Sequence, residues 1–401
     1  MPFSQTQQTQ QTQQTQQTQQ TQQTQQTQQT QSLSHAGQGS SAQLSLALDA
    51  VALTLPGRLP GNLTADAPAV SAETALKRLV PLHRNILLTD ALASGLEVVY
   101  PDHQKAVAEA QTARAEADAD PGNAEKERLA LRMDVRAQAA ANSECVDVVL
   151  DGQRLCTLTT PFTSTVSNGA VVTPDPAQVI SRIMDRRWLR SERMAEIVTQ
   201  QTDILSFLAL AYPMTRDTHS MLMDMLDAIL SAAGRVVVKA KHMLSAPRPI
   251  ELTSAVAPVI RTPAHAACPS GHASEAFSQA FAMEALLFGA PSQELRLIAA
   301  RIEENRVVSG VHYEHDGHMG RVLAAALAPV FAARLGIAPQ APSVADVEDL
   351  WQASGEEGVY LAPDAMRGGE GLTPVGFAPV AVPADPTLAA AMTLIASEIG
   401  Q

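Results

Sequence analysis

The sequence predicts a mainly α protein, a helical bundle with a small β-hairpin and a disordered N-terminal tail. Three observations predict it. Between residues 72 and 335 apolar residues recur every three to four positions, the repeat of a helix that buries one face. Alternation of the strand type is confined to one stretch near residues 146–158, bounded by turn residues. From Gln5 to Gln31 the chain repeats Thr-Gln-Gln, a polar tract with nothing to bury, which is expected to be disordered, with self-association as its alternative role.

A Ser/Gly/Pro-rich stretch continues the tail to about Pro68, and helical patterning starts near Ala72. There Leu76, Leu79, Leu82, Ile86 and Leu87 are expected to form the buried face. Residues 104–142, dominated by Ala, Glu, Arg and Leu, are expected to be helical with a break at Asp120-Pro121-Gly122-Asn123. Residues 146–150 and 153–158 flank Asp151-Gly152 and read as a hairpin with a type I′ turn. In that register Cys156 faces Asp147, which disfavours a disulfide to Cys145. Helices are then expected over residues 176–210, 215–244, 272–288, 291–308 and 316–335. Their shared apolar face runs through Ile204, Leu208, Leu222, Leu226, Leu230, Phe277, Phe281, Leu286, Leu297, Ile302, Leu323 and Leu327, as in a bundle. From Pro339 the chain turns Pro-, Gly- and acid-rich with one helical patch over 388–399. This gives four regions: a tail and linker (1–68), an accessory helical region with the hairpin (69–170), the helical bundle (171–338) and a wrapping extension (339–401).

The chain is 45% hydrophobic and 17% charged, as globular proteins are, and its net charge of −13 argues against a nucleic-acid or anionic-membrane partner. Any anion site must therefore be built locally. Three cysteines do not make a disulfide framework. The start Met1-Pro2-Phe3-Ser4 lacks the basic and apolar regions of a secretory signal, and the longest apolar run, residues 322–333, falls short of the roughly 20 residues a membrane span needs. A soluble chain kept in the cytoplasm is expected.

Three motifs carry chemistry. In Lys241-His242-Met243-Leu244-Ser245-Ala246-Pro247-Arg248-Pro249 two cations stand at a helix end, and the two prolines stiffen the backbone that presents the Arg248 fork. In Cys268-Pro269-Ser270-Gly271-His272 a helix N-terminus offers amides, Gly271 permits close approach, Ser270 adds a hydroxyl and His272 can move a proton. Cys268 lacks the Arg six residues on that a thiol phosphatase requires; Ser274 is there. In Arg306-Val307-Val308-Ser309-Gly310-Val311-His312-Tyr313-Glu314-His315-Asp316, a helix begun early would place His312 and Asp316 on one face. Asp316 would then hold one nitrogen of His312 and leave the other as nucleophile or ligand. A metal cluster of His312, His315, Asp316 and His318 is the rival reading, disfavoured by the neighbouring cations. A non-catalytic anion binder is a further alternative, but it would need neither His272 nor the His312–Asp316 pair.

Lys-x6-Arg-Pro, Pro-Ser-Gly-His and Arg-x5-His-x3-Asp, in that order, resemble the signature of the phosphatidic acid phosphatase type 2 / vanadium-dependent haloperoxidase superfamily over about residues 175–335. Asn305 departs from the serine that often precedes the arginine there, and little is expected of the change. The resemblance implies a helical bundle whose centre binds vanadate, or phosphate in the same place. It makes Lys241, Arg248 and Arg306 the cations on the equatorial oxygens, with Ser270 and the Gly271 amide adding hydrogen bonds. It makes His312 the axial ligand to vanadium, Asp316 its orienting partner, and His272 the acid–base group opposite. As a haloperoxidase the chain would take hydrogen peroxide and halide, Lys241 polarising the bound peroxide. As a soluble acid phosphatase it would cleave phosphate esters through a phosphohistidine at His312. The missing membrane spans leave the soluble acid phosphatases and the haloperoxidases, the length favours the haloperoxidases, and the loop with His265, seven residues before His272, is similar to bromoperoxidases and favours bromide or iodide oxidation; His265 is assigned to halide selectivity. A homo-oligomer is compatible with this family. Met221, Met223, Met225, Trp188 and Trp351 are expected to pack in the core or an interface, and His242 to be exposed.

Overall fold

The computed structural model describes residues 70–167, 170–337 and 385–400. The Thr-Gln-Gln tail, the linker to Pro68, Trp351 and most of the wrapping extension lie outside the described residues. Within them the chain is mainly helical with a small three-stranded antiparallel sheet.

Helices α1 (Ala72–Arg78) and α2 (Pro81–Ala93) open the described chain. The buried face of α2 is not the expected one: Leu82, Ile86 and Leu87 are exposed, and Arg84, Leu88, Thr89 and Leu92 are buried. The cause is an ion pair. Arg84 Nε donates to Asp224 Oδ2 at 2.5 Å and its Nη1 to the Leu79 carbonyl at 2.8 Å, so the helix is rotated to carry this cation inward. A buried pair of this kind reads from sequence as a polar interruption.

Strand β1 (Leu96–Val99) was not expected, and it converts the predicted hairpin of β2 (Cys145–Leu150) and β3 (Gln153–Thr159) into a sheet of order β1-β2-β3. Asp151 and Gly152 take the positive φ values, 48° and 81°, that a type I′ turn requires. An irregularity between Val148 and Val149 shifts the register, so Cys156 lies opposite Val148 and Asp147 opposite Thr157, correcting the expected Cys156–Asp147 pairing. Thr157 donates to Asp147 at 2.6 Å, and all three cysteines are free. A second, two-stranded ribbon joins β4 (Thr165–Ser167) and β5 (Ala170–Val172). Between β1 and β2 stand α3 (His103–Asp118) and α4 (Ala124–Ala141), capped by Asp102 and Asn123. They meet through alanines, Ala106, Ala110 and Ala137 at one end and Ala113, Ala117 and Ala130 at the other. Small side chains at i, i+4 spacing allow this close pairing.

The expected helix over 176–210 is broken into α5 (Pro176–Asp185), a 3₁₀ turn, α6 (Arg190–Thr199) and a single turn at Leu205–Leu208. Trp188 sits at the first break and is 74% exposed, against the expectation that it packs. The long helix α7 (Ser220–Leu244) is the central element, buried along Leu222, Leu226, Ile229, Ala233, Val237, Ala240 and Lys241. Met221 and Met225 are core and Met223 packs partly against it, while His242 is exposed as expected. Helix α8 (Gly271–Met283) runs on through a π turn to Phe288, and α9 (Gln293–Val308) and α10 (Glu314–Arg334) follow. Of the predicted apolar face Leu297 is exposed and Leu230 half-buried; the others are buried or packed against the core. The last helix, α11 (Pro386–Ile399), places the Glu398 carboxylate on the Met221 and Leu222 amides at 2.8 and 3.0 Å. It thereby caps α7, whose own N-cap residue, His219, makes no side-chain bond to the helix amides. Leu88, Leu150 and Leu158 share one core with α7, α8 and α10. No described helix is long and apolar enough to cross a membrane.

Candidate anion-binding site

Three chain segments meet at the start of α8. Ser270 caps that helix, its Oγ accepting from the Ala273 amide at 3.4 Å, and the first amides, of Gly271 and His272, have no intrahelical carbonyl to meet. The Ser270 amide donates to the Asp316 carbonyl at 2.7 Å, which ties this loop to the first turn of α10. Further along α10, Gly320 makes the contact close. A Cβ there would stand 2.8 Å from Ala273 Cβ, 2.9 Å from the Ser270 carbonyl and 3.0 Å from the Ser274 nitrogen. Gly320→Ala is therefore expected to lower stability by about 1–3 kcal/mol, the cost of overpacking. Urea unfolding monitored by circular dichroism checks this, and an unchanged midpoint would contradict it.

His312 does not share a helical face with Asp316. It precedes α10, and Asp316 reaches back as a capping residue: Oδ2 accepts from the Tyr313 amide at 3.0 Å and pairs with His312 Nδ1 at 2.8 Å. The other ring nitrogen, Nε2, lies 3.0 Å from Arg248 Nη1. A guanidinium can only donate. Nε2 therefore accepts, Nδ1 carries the proton toward Asp316, and the tautomer is set. Burial, then the charges of Arg248 and Lys241, hold His312 well below the usual imidazole pKa. It is a neutral ring with its lone pair turned into a group of cations. Burial pushes Asp316 up to about 6 against the pull of Lys241 and Arg248.

Lys241, Arg248 and Arg306 are all buried. Lys241 Nζ donates to the Ala266 and Ala267 carbonyls at 3.0 and 2.8 Å. Arg248 is spread over the His265 carbonyl (2.9 Å), the Val311 carbonyl (2.6 Å), His312 Nε2 and His265 Nδ1 (3.1 Å). Arg306, 1% exposed, spends only Nη2, on the Ile197 carbonyl and Gln200 Oε1, both at 3.1 Å. Its Nε and Nη1 have no hydrogen-bond partner among the described residues, and burial alone lowers its pKa to about 10. Burial, then the charges of Arg306, Lys241 and Arg248, hold His272 well below the usual imidazole pKa. Its Nε2 lies 2.9 Å from the Gln200 carbonyl, one of the acceptors left over where α6 ends. A carbonyl only accepts, so Nε2 carries the proton and Nδ1 the lone pair.

Burial, then Arg248, lowers Lys241 to about 7. A bound anion adds negative charge and raises that value, so binding above pH 7 takes up a proton and affinity falls as pH rises through 7. Sulfate, whose own charge is constant in this range, is the probe: calorimetry in two buffers at pH 8 is expected to show uptake that disappears in Lys241→Met.

The assigned residues Lys241, Arg248, Ser270, Gly271, His272, Arg306, His312 and Asp316 are thus brought together. His265 joins them through Arg248; partial burial and the Lys241 charge lower its pKa to about 4. His315 is turned away, its Nε2 on Thr159 Oγ1 and the Thr159 carbonyl, both at 3.1 Å. Among the described residues no three His, Cys, Asp or Glu side chains are grouped so as to hold a metal ion. Three residues were not singled out for the site or were discounted. Glu275 stands one turn into α8, close to Gly271, its carboxyl pKa raised by burial. Gln200 touches both His272 and Arg306. Asn305, of which little was expected, donates to Glu196 at 2.9 Å and to Gln200 Oε1 at 3.0 Å. No spacing signal marks Gln200, which lies 41 residues before Lys241. No protein-family model and no curated protein matches the chain.

Proposed function

We propose that the chain is a vanadate-dependent haloperoxidase of the phosphatidic acid phosphatase type 2 / vanadium-dependent haloperoxidase type, oxidising bromide or iodide with hydrogen peroxide. The observation that carries the oxyanion part of this reading is Arg306. A buried guanidinium with two donors unmatched and no carboxylate paired to it among the described residues is costly. An anion with several oxygens relieves it, and Lys241, Arg248, Ser270 and the Gly271 amide supply further donors around the same space. The neutral Nε2 of His312 fits an electrophilic centre, and Asp316 keeps it oriented.

Vanadate in this place supplies a Lewis acid that activates peroxide toward halide without changing oxidation state. The chain's own residues do the rest. Arg248 releases His312 Nε2 and turns its fork to the oxyanion. Lys241 neutralises charge on an oxygen beside Ala266 and Ala267. His272 accepts a proton from incoming peroxide at Nδ1 and returns it to the leaving oxygen, its ring fixed through Nε2 by the Gln200 carbonyl. His265 is bonded to Arg248 Nη2, and the resemblance of its loop to bromoperoxidases is what supports halide oxidation over ester hydrolysis.

The same residues serve a soluble acid phosphatase, in which His312 Nε2 attacks phosphorus and His272 protonates the leaving alcohol. The test is bromide and iodide oxidation by hydrogen peroxide in phosphate-free buffer, with and without orthovanadate, beside hydrolysis of a chromogenic phosphate ester. Halide oxidation only with orthovanadate is expected. Ester hydrolysis that orthovanadate inhibits, with no halide oxidation, would replace the peroxidase by the phosphatase.

A further inference from the structure

We infer that Gln200 is a further ligand of the bound oxyanion, donating from its side-chain amide Nε2 beside Arg306 and His272. The inference rests on the oxyanion reading above and extends it to a residue outside the three motifs.

The orientation of the Gln200 amide follows from chemistry at both ends of a chain of hydrogen bonds. Arg301 Nε and Nη2 grip the Glu196 carboxylate, each at 2.9 Å. That carboxylate accepts from Asn305 Nδ2, which also donates to Gln200 Oε1. Arg306 Nη2 donates to the same oxygen. Both neighbours are donors, so the atom they share is the amide oxygen and the nitrogen is turned the other way. Gln200 is 1% exposed, and Nε2 has no hydrogen-bond partner among the described residues.

Nε2 thus joins Arg306 Nε and Nη1 as buried donors on adjacent side chains, none of them with an acceptor among the described residues. Water-sized or larger groups bearing several acceptor oxygens satisfy such a set, and a tetrahedral or trigonal bipyramidal oxyanion does so at once. A carboxamide adds a directed hydrogen bond near His272 without a fourth positive charge, which would depress that imidazole further. Asn305 acquires a purpose here: serine in its place is too short to hold Glu196 and Gln200 together.

Orthophosphate binding is measured by calorimetry at pH 8 on the full chain, on Q200L and on Q200E. Both variants keep the backbone carbonyl that holds His272. Q200E also keeps an oxygen for Asn305 and Arg306, and exchanges the donor for a second oxygen whose negative charge acid removes. Wild type is expected to bind, and both variants to bind about 10–100-fold more weakly, the worth of a hydrogen bond to a charged group. Q200E recovers toward wild type as acid protonates its carboxyl, and Q200L does not. In 15N-labelled wild type the side-chain amide signals absent from Q200E shift on saturation with phosphate. Full-affinity binding by Q200E at pH 8, or unmoved amide signals, would overturn the role of Gln200 and leave the oxyanion reading standing. Failure of wild type to bind phosphate or orthovanadate would remove the reading itself. Thermal unfolding shows whether Q200L folds; if it does not, Q200E and the amide signals decide.

Discussion

His312→Ala abolishes binding of orthovanadate and phosphate. This is the expected result because the substitution removes the acceptor nitrogen that faces Arg248. It also strands two partners. Arg248 Nη1 loses Nε2, and Asp316 loses one of the two donors on its Oδ2. The loss in affinity should exceed the roughly 10–100-fold that follows removal of a residue which only orients a ligand. Asp316→Ala supplies that comparison and should fall inside the range. Equilibrium dialysis with orthovanadate measures both, and retained binding or activity in His312→Ala would sink the proposed function.

His272→Ala should behave in the opposite way, keeping the anion and losing turnover. The imidazole is tied down by a backbone carbonyl through Nε2, so its Nδ1 is free to take and return a proton, and its absence leaves Lys241, Arg248 and Arg306 in place. Positioned proton transfer is worth about 10²–10⁴-fold in rate. Turnover is expected to fall by that factor while the orthovanadate dissociation constant changes by only a few-fold. Initial rates of bromide oxidation at saturating orthovanadate, with dialysis on the same preparation, separate the two quantities. Equal losses in both would assign His272 to binding.

The site was more legible than the fold around it, and the reason is chemical type. Cations beside prolines, a glycine and histidine opening a helix, and a His-x3-Asp spacing are combinations that a packed helix has little use for. They can be read without knowing where the chain goes. The geometry joining them was less legible: Asp316 meets His312 as a helix cap and not along a helix face. Gln200 was invisible because its role depends on α6 ending where its carbonyl and amide meet His272 and Arg306, a tertiary event. The rotation of α2 was misread for a related reason. Arg84 looks like a solvent residue until Asp224, 140 positions on, is beside it. The register of β2 on β3 turned on one irregularity that alternation does not encode. The break at Trp188 likewise leaves no signal in apolar period.

The cysteines bear on how long such a catalyst lasts. Peroxide and hypohalous acid attack sulfur mainly as thiolate. Burial pushes Cys145 up to about 12 and raises Cys156 and Cys268 as well, and Cys268 Sγ donates to the Thr159 carbonyl at 3.1 Å beside the anion loop. All three are thus kept in the protonated form that oxidants take slowly. Under the proposed function, the buried thiols would be the sulfur least open to the oxidant made beside them, and the exposed indole of Trp188 would meet it first.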